Sequence, residues 1–187
     1  LLIFLTGIAI CYIIKKWVGL NKRIEWLLVD ICESFIVIAS FVLGWLYQLN
    51  NKYIIGLNDV LSDRLKYIAQ TMSTYNIKLW GQYIEEHGNG GSIIAKDNYF
   101  FIDNSFVRCM YEYGAIVFVL VIVLIFMAQK KMLDNEKYIM CLAFFIVTIA
   151  SFAEHHLLEI AYNPFIFSVF ACMSNNDKVI MEEKRIC

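Results

Sequence analysis

Glu154, His155, His156 and Glu159 stand within six residues of one another. A histidine beside a carboxylate can act as a general base or as a cation for phosphate. His155 and Glu159 are spaced i, i+4, so they share a face if this stretch is helical. Two adjacent histidines on one helix do not easily face one ion, which argues against a metal centre there. Arg64 and Arg108 are the second chemical resource. Arginine is always charged and grips phosphate through paired hydrogen bonds, so two of them near a membrane suit a lipid-linked pyrophosphate. Their ordinary alternative is local pairing, Arg64 with a loop carboxylate and Arg108 with Glu112 one turn on. Asp103, Asn104 and Ser105 form a turn that can cap a helix carrying Arg108. Asn163-Pro164 must kink any helix that contains it, and the side chain of Asn163 can partner the backbone group this frees.

These groups are carried by an unusually apolar chain. It has 187 residues, 60% of them hydrophobic, 16% aromatic and only 18% charged. A globular domain has more charge than this, and here the apolar residues fall in runs. The expected fold is all-α: a polytopic membrane protein of about five transmembrane helices with a large helical extracytoplasmic loop. Residues 1–14 read as a first, truncated span, about 21 Å long at 1.5 Å per residue. Residues 27–49 form the second span, 115–128 the core of the third, 138–153 the fourth and 160–173 the fifth. The resulting units are 1–49, with a cytoplasmic loop at 15–26, then the loop 50–112, the spans of 113–173 and a tail at 174–187.

Charge orients the spans. Ten of the sixteen Lys and Arg residues fall in 15–26, 129–137 and 175–187. Short loops rich in Lys and Arg stay in the cytoplasm. That puts 50–112 and the turn 154–159 outside. Within the long loop, residues 58–75 read as one amphipathic helix lying at the membrane surface, with a stripe of Leu61, Leu65, Ile68 and Met72 and Asn58 as N-cap. Residues 85–92 read as a turn-rich break, and Gly114 lets the next helix run on into the membrane. Asp30 and Glu33, three apart near the inner end of the second span, either reach the inner headgroups or make a polar contact facing the half of the protein beyond this sequence. The six cysteines read as core residues, with no Cys-x-x-Cys pair. A net charge of −1 gives no general nucleic-acid surface. Nucleophile elbows, Walker loops, dinucleotide fingerprints and His-Glu-x-x-His are absent from the sequence.

Taken in order, Leu61-Ser62-Asp63-Arg64-Leu65, Leu79-Trp80-Gly81-Gln82, Asp103-Asn104-Ser105-Phe106 with Tyr113-Gly114, and Glu154-His155-His156-Leu157 with Tyr162-Asn163-Pro164-Phe165 resemble the C-terminal half of bacterial capsule and exopolysaccharide polymerases. These are the Wzy-like members of the O-antigen polymerase and ligase superfamily, and the likeness runs over about 27–173. It implies that the chain joins oligosaccharide repeat units carried on undecaprenyl pyrophosphate, at the outer face of the bacterial cytoplasmic membrane, as an inverting glycosyltransferase. It implies no metal, nucleotide or other cofactor. Arg64 would hold the pyrophosphate, and Asp103 and Asn104 would shape the donor and acceptor site. His156, with Glu154, would be catalytic. Arg108, His155, Glu159 and Asn163 complete the expected substrate contacts. The chain departs from the pattern at two places: Asp63 stands where such loops often have glycine, and His155 where proline is common.

The expected partners are the lipid-linked repeat units, membrane lipids and an N-terminal transmembrane half beyond this sequence, without which the fragment is expected to be inactive. Two other readings compete. One is an O-antigen ligase of the same superfamily. The other is a polysaccharide transporter subunit without chemistry, which predicts charged residues lining several spans.

Overall fold

The computed structural model describes residues 22–87, 99–135, 137–155 and 157–159. The expected first and fifth spans, the tail, most of the 85–92 break, His156, Asn163 and Pro164 lie outside the described residues. Among those described, the backbone is helical, with one isolated antiparallel bridge between His87 and Phe100. In chain order the helices are α1 (Lys22–Gln48), α2 (Lys52–Val60), α3 (Arg64–Thr74), the short α4 (Ser105–Arg108), a π-helical turn (Cys109–Tyr113), α5 (Ala115–Asp134) and α6 (Tyr138–Ala150).

Two of these, α1 over Trp26–Gln48 and α5, are long and apolar enough to cross a membrane. α6 has 13 residues, about 20 Å, which is short of a span by itself. α1 presents Leu28, Ile31, Phe35, Ile38, Val42 and Trp45 outward as a helical stripe. A helix of a water-soluble domain turns such a stripe inward. α5 does the same with Leu120, Val123 and Met127.

α1, α5 and α6 pack together around Val121, Ile125, Ala128, Met132, Cys141 and Phe144. Phe41 of α1 meets Phe118 of α5 edge-on, with ring centroids 5.8 Å apart. A polar cluster lies inside this apolar packing. Glu33 is 1% exposed and accepts a hydrogen bond from the Gln129 amide, whose own oxygen accepts from the Cys141 thiol at 3.0 Å. So Glu33 joins the helices of this chain to one another and does not reach headgroups or an outside partner. Asp30, by contrast, is exposed. A buried carboxyl needs such partners in a medium that supplies none.

At the far end of α1 a second core forms under the polar segments. It contains Leu65, Tyr67, Ile68, Ile84, Phe100, Ile102, Val107 and Tyr111. The single amphipathic helix expected over 58–75 is two helices, broken at residues 61–63. Ser62 and Asp63 both take left-handed backbone conformations, at φ +53° and +66°. Asn58 still caps, but from the preceding helix: its Oδ1 accepts from the Lys66 amide in the first turn of α3 at 3.0 Å. The apolar stripe is also not on a membrane. Leu65 and Ile68 are buried, α3 packs on α1, and Gln48 of α1 donates to the Ala69 carbonyl at 2.8 Å.

Gly114 does not continue a helix into α5. It breaks the chain at φ +98°, and Gly81 at φ +81° crosses against it. A Cβ on Gly81 would sit 2.2 Å from the Glu112 carbonyl oxygen, and one on Gly114 2.3 Å from the Gly81 nitrogen. The crossing is tied by Ala115 N–H to Lys78 O (3.0 Å), Ile116 N–H to Leu79 O (3.3 Å) and Gln82 N–H to Glu112 O (2.9 Å). These bonds give the first turn of α5 acceptors for amides that a helix leaves without partners.

The crossing gives a paired test. Gly81→Ala combines positive φ with a backbone clash and should cost about 2 kcal/mol or more. Gly56, inside α2, has neither problem, since an added methyl there would meet nothing within 4 Å. Gly56→Ala should stabilise by about 0.5–1 kcal/mol. Thermal unfolding of both purified variants in detergent reads the two signs, and equal midpoints would contradict the crossing.

Candidate functional site

The site is built at the α3 end of α1, where chain segments about 40 to 90 residues apart converge. Arg64 is the first residue of α3. The left-handed Asp63 before it turns the chain at the helix start. Asparagine and aspartate tolerate that conformation better than most residues. Asp63 therefore does here what glycine would do, and its carboxylate accepts from the Asn58 amide at 2.8 Å.

From there the Arg64 guanidinium reaches two acids. Its Nη2 donates to Glu154 Oε1 at 3.0 Å, and its Nε lies 3.6 Å from Asp103 Oδ2. Asp103 Oδ1 in turn is 4.0 Å from His155 Nδ1, and His155 Nε2 is 3.2 Å from Glu159 Oε1. The i, i+4 pairing of His155 and Glu159 thus holds, although this turn is not a regular helix. Burial raises the Asp103 carboxyl above the ordinary carboxylate range. The Arg64 charge opposes this, Glu154 adds to it, and His155 and Arg108 oppose it more weakly.

Arg108 makes a second knot beside the first. Its guanidinium donates to Glu86, lies 3.1 Å from Glu112 Oε2 and stacks over the Phe101 ring at 4.8 Å. The same Phe101 ring meets His155 edge-on, with ring centroids 5.0 Å apart. Glu86 also accepts from the Ile102 amide at 2.9 Å. The local pairing of Arg108 with Glu112 is observed; the further partner, Glu86, was not legible, because nothing in the sequence indicates that 86 and 108 meet.

Asn104 and Ser105 position the turn that carries Glu154. Asn104 is 1% exposed, and its Oδ1 accepts from the Phe106 and Val107 amides while its Nδ2 donates to Phe152 O at 2.7 Å. Both ends of that side chain are held by the protein, so Asn104 organises the site from beneath. Ser105 Oγ donates to the Glu154 carbonyl and accepts from the Leu157 amide at 3.2 Å. The capping role expected of this turn is therefore carried by Asn104, and Ser105 ties it to the turn after α6.

A small cavity of about 70 Å³ opens between the knots, lined by Ser105, Arg108, Tyr113, His155, Leu158 and Glu159. Of the expected site residues, Arg64, Asp103, Glu154, His155, Arg108 and Glu159 meet in one patch. Asn104, expected to touch substrate, lies buried beneath the patch with both ends of its side chain bonded to the backbone, and His156 and Asn163 lie outside the described residues. Asp103, Glu154 and His155 also bring donor atoms within 4.8 Å of one another, the spacing of a metal site. Arg64 already supplies a cation to two of these three groups.

The charge balance of the patch matters. Arg64 faces Asp103 and Glu154, Arg108 faces Glu86 and Glu112, and a fifth carboxylate, Glu159, lies against His155. Among the described residues an arriving anion meets no spare arginine here and must exchange with a carboxylate. The proton on Asp103 has a defined sign of effect. Because its folded value is raised, the protonated form contributes stability that is complete below the unfolded carboxyl value and is lost as pH rises through the folded value. Arg64→Ala removes the main opposing charge. Its cost in thermal unfolding should be on the order of 1–2 kcal/mol at neutral pH, and should shrink as pH falls and Asp103 takes up a proton. A cost independent of pH would remove Asp103 from this account.

No protein family, curated protein or solved structure matches the chain.

Proposed function

We propose that the protein belongs to the Wzy-like polymerases and joins oligosaccharide repeat units carried on undecaprenyl pyrophosphate. In this reading it is a multi-pass protein of the bacterial cytoplasmic membrane, α1 and α5 are two of about five spans, and the polar patch is at the outer face. The observation that carries the reading is the convergence of Arg64, Asp103, Glu154 and His155 at one end of two apolar helices. Residues from all four stretches that carry the resemblance take part in it or brace it. Within the described spans Glu33 is the buried carboxylate and it is bonded to Gln129, while Arg64, Asp103 and Glu154 gather in the patch at the helix ends, which speaks against a transporter lining.

The chemistry follows from the exchange described above. The donor pyrophosphate takes the place of Glu154 on Arg64, a better match because phosphate oxygens carry more charge and accept two parallel hydrogen bonds, where Glu154 accepts one from this guanidinium. That releases Glu154 as a base close to the reacting carbon. The acceptor sugar hydroxyl gives its proton to Glu154, and its oxygen attacks the anomeric carbon. The carbon–oxygen bond to phosphate breaks with its electron pair, and undecaprenyl pyrophosphate leaves with inversion at carbon. Fixed cations that meet the leaving charge lower the barrier. His155 and His156 are the further polar groups of the same turn, His156 being the one the resemblance makes catalytic.

The test uses the full-length reading frame in a strain lacking its own polymerase, with surface polysaccharide resolved on a gel. Wild type should restore a ladder. Arg64→Ala, Glu154→Gln and His156→Ala should each leave single repeats at normal protein levels, a loss of about 10²-fold or more for removal of a catalytic proton acceptor. Full ladders from all three would sink the site assignment. Transfer of single units onto a lipid A core, with no ladder, would indicate the ligase.

A further inference from the structure

The crossing of Gly81 over Gly114 fixes the level of a short strap on the protein. Lys78 and Leu79 accept from the first two amides of α5, and Gln82 is bonded both to Glu112 O and, through its side chain, to Asn76 O at 2.7 Å. The strap backbone therefore has little freedom and stands beside the first turn of α5. Its side chains are uncovered by the described chain. Leu79 is 63% exposed and Trp80 is 83% exposed. Along α5, starting one turn beyond the Ile116 amide that bonds to Leu79, the side chains of Val119, Leu120 and Val123 are uncovered as well.

Length sets the level of this surface. α5 has 20 residues, so it rises about 30 Å, the thickness of a bilayer's hydrocarbon core, with Lys130 and Lys131 near its other end directing their ammoniums to the opposite headgroups. Its first turn then stands at one hydrocarbon boundary. Tryptophan favours that boundary, because its ring is apolar and its N–H still finds headgroup or water partners. A lysine at the same level directs its ammonium to the headgroups. The expected surface helix, α3, does not do this job, since its apolar stripe is buried in protein.

We propose that the strap is an interfacial anchor: Leu79 and Trp80 insert at the headgroup–acyl boundary of the leaflet nearest the site, with Lys78 at the headgroups. This rests on the membrane reading given above. The anchor holds the Arg64–Glu154 pair at the depth where a lipid-borne pyrophosphate resides. The occupant is lipid, because the strap is bonded to the first turn of a helix long and apolar enough to cross a membrane, whose outward residues are uncovered and apolar.

The test uses two forms of the full-length protein in phosphatidylcholine vesicles, each with one tryptophan and phenylalanine at the rest. One retains Trp80. The other carries Val123→Trp, at the middle of α5 on its outward face. Lipids brominated near the headgroup or deep in the acyl chain quench tryptophan by depth, and iodide quenches from water. The expected result is that the residue-123 probe loses most of its emission to deep bromines, while Trp80 loses most of its emission to shallow bromines and little to iodide. If the residue-123 probe responds as expected but Trp80 is quenched by iodide alone, the anchor is refuted and the spanning helix stands. Protection of that iodide-quenched Trp80 by added oligosaccharide would make the strap a sugar platform instead. If neither probe responds to bromine, the membrane reading falls, and the anchor with it.

Discussion

The pairing of Arg64 with Glu154 and Asp103 is the contact on which the polar half of the molecule depends. It joins the start of α3, the turn before α4 and the turn after α6 through one guanidinium. Packing on α1 already holds α3, and Asn104 and Ser105 tie the other two segments to each other, so the guanidinium links two supports that are otherwise separate. Removing the arginine would leave Asp103 and Glu154 without their shared cation, a loss that Glu154 can relieve by turning to water and Asp103, the less exposed of the two, by taking up a proton. The same contact is also the weakest point toward an anion, since a ligand with more charge and the same geometry competes for it directly.

Beneath that contact the structure divides its tasks. Apolar packing among α1, α5 and α6 supplies the platform, with Glu33 and Gln129 as an internal polar tie. The second core, under α3 and α4, supports the site from the side. Asn104 and Ser105 then convert helix geometry into turn geometry by bonding to the residues after α6. The charged side chains are displayed by a scaffold whose own polar groups are largely bonded within it. That leaves the surplus carboxylates as the adaptable element.

Much of this was legible in the sequence, for specific reasons. The apolar runs point to α1 and α5 because membrane-length hydrophobicity is a signal no loop imitates. Arg64, Asp103, Glu154 and His155 were legible as chemistry by residue type, and the Arg108–Glu112 and His155–Glu159 pairs by helical spacing. Long-range partners were not legible: nothing local states that Glu86 reaches Arg108 or that Glu33 finds Gln129. The break in the expected 58–75 helix was hidden because Ser62 and Asp63 adopt left-handed conformations without glycine. The stripe of α3 is apolar as its spacing predicts, yet protein and not lipid covers it, because periodicity reports that a face is buried and not what buries it. Gly114 looks permissive of helix from its neighbours, where its role depends on a second glycine 33 residues earlier.

The contact between Gly81 and Gly114 is backbone against backbone, and this separates shape from identity. The bonds that hold the strap to α5 run between main-chain groups, so Leu79, Trp80, Tyr83 and Tyr113 can be exchanged without loosening the junction. A lineage of such proteins can therefore vary what the strap displays, residue by residue, while two glycines keep the geometry constant. The architecture is written in the two positions that have no side chain, so what constrains the residues displayed around them is their surroundings and not the junction.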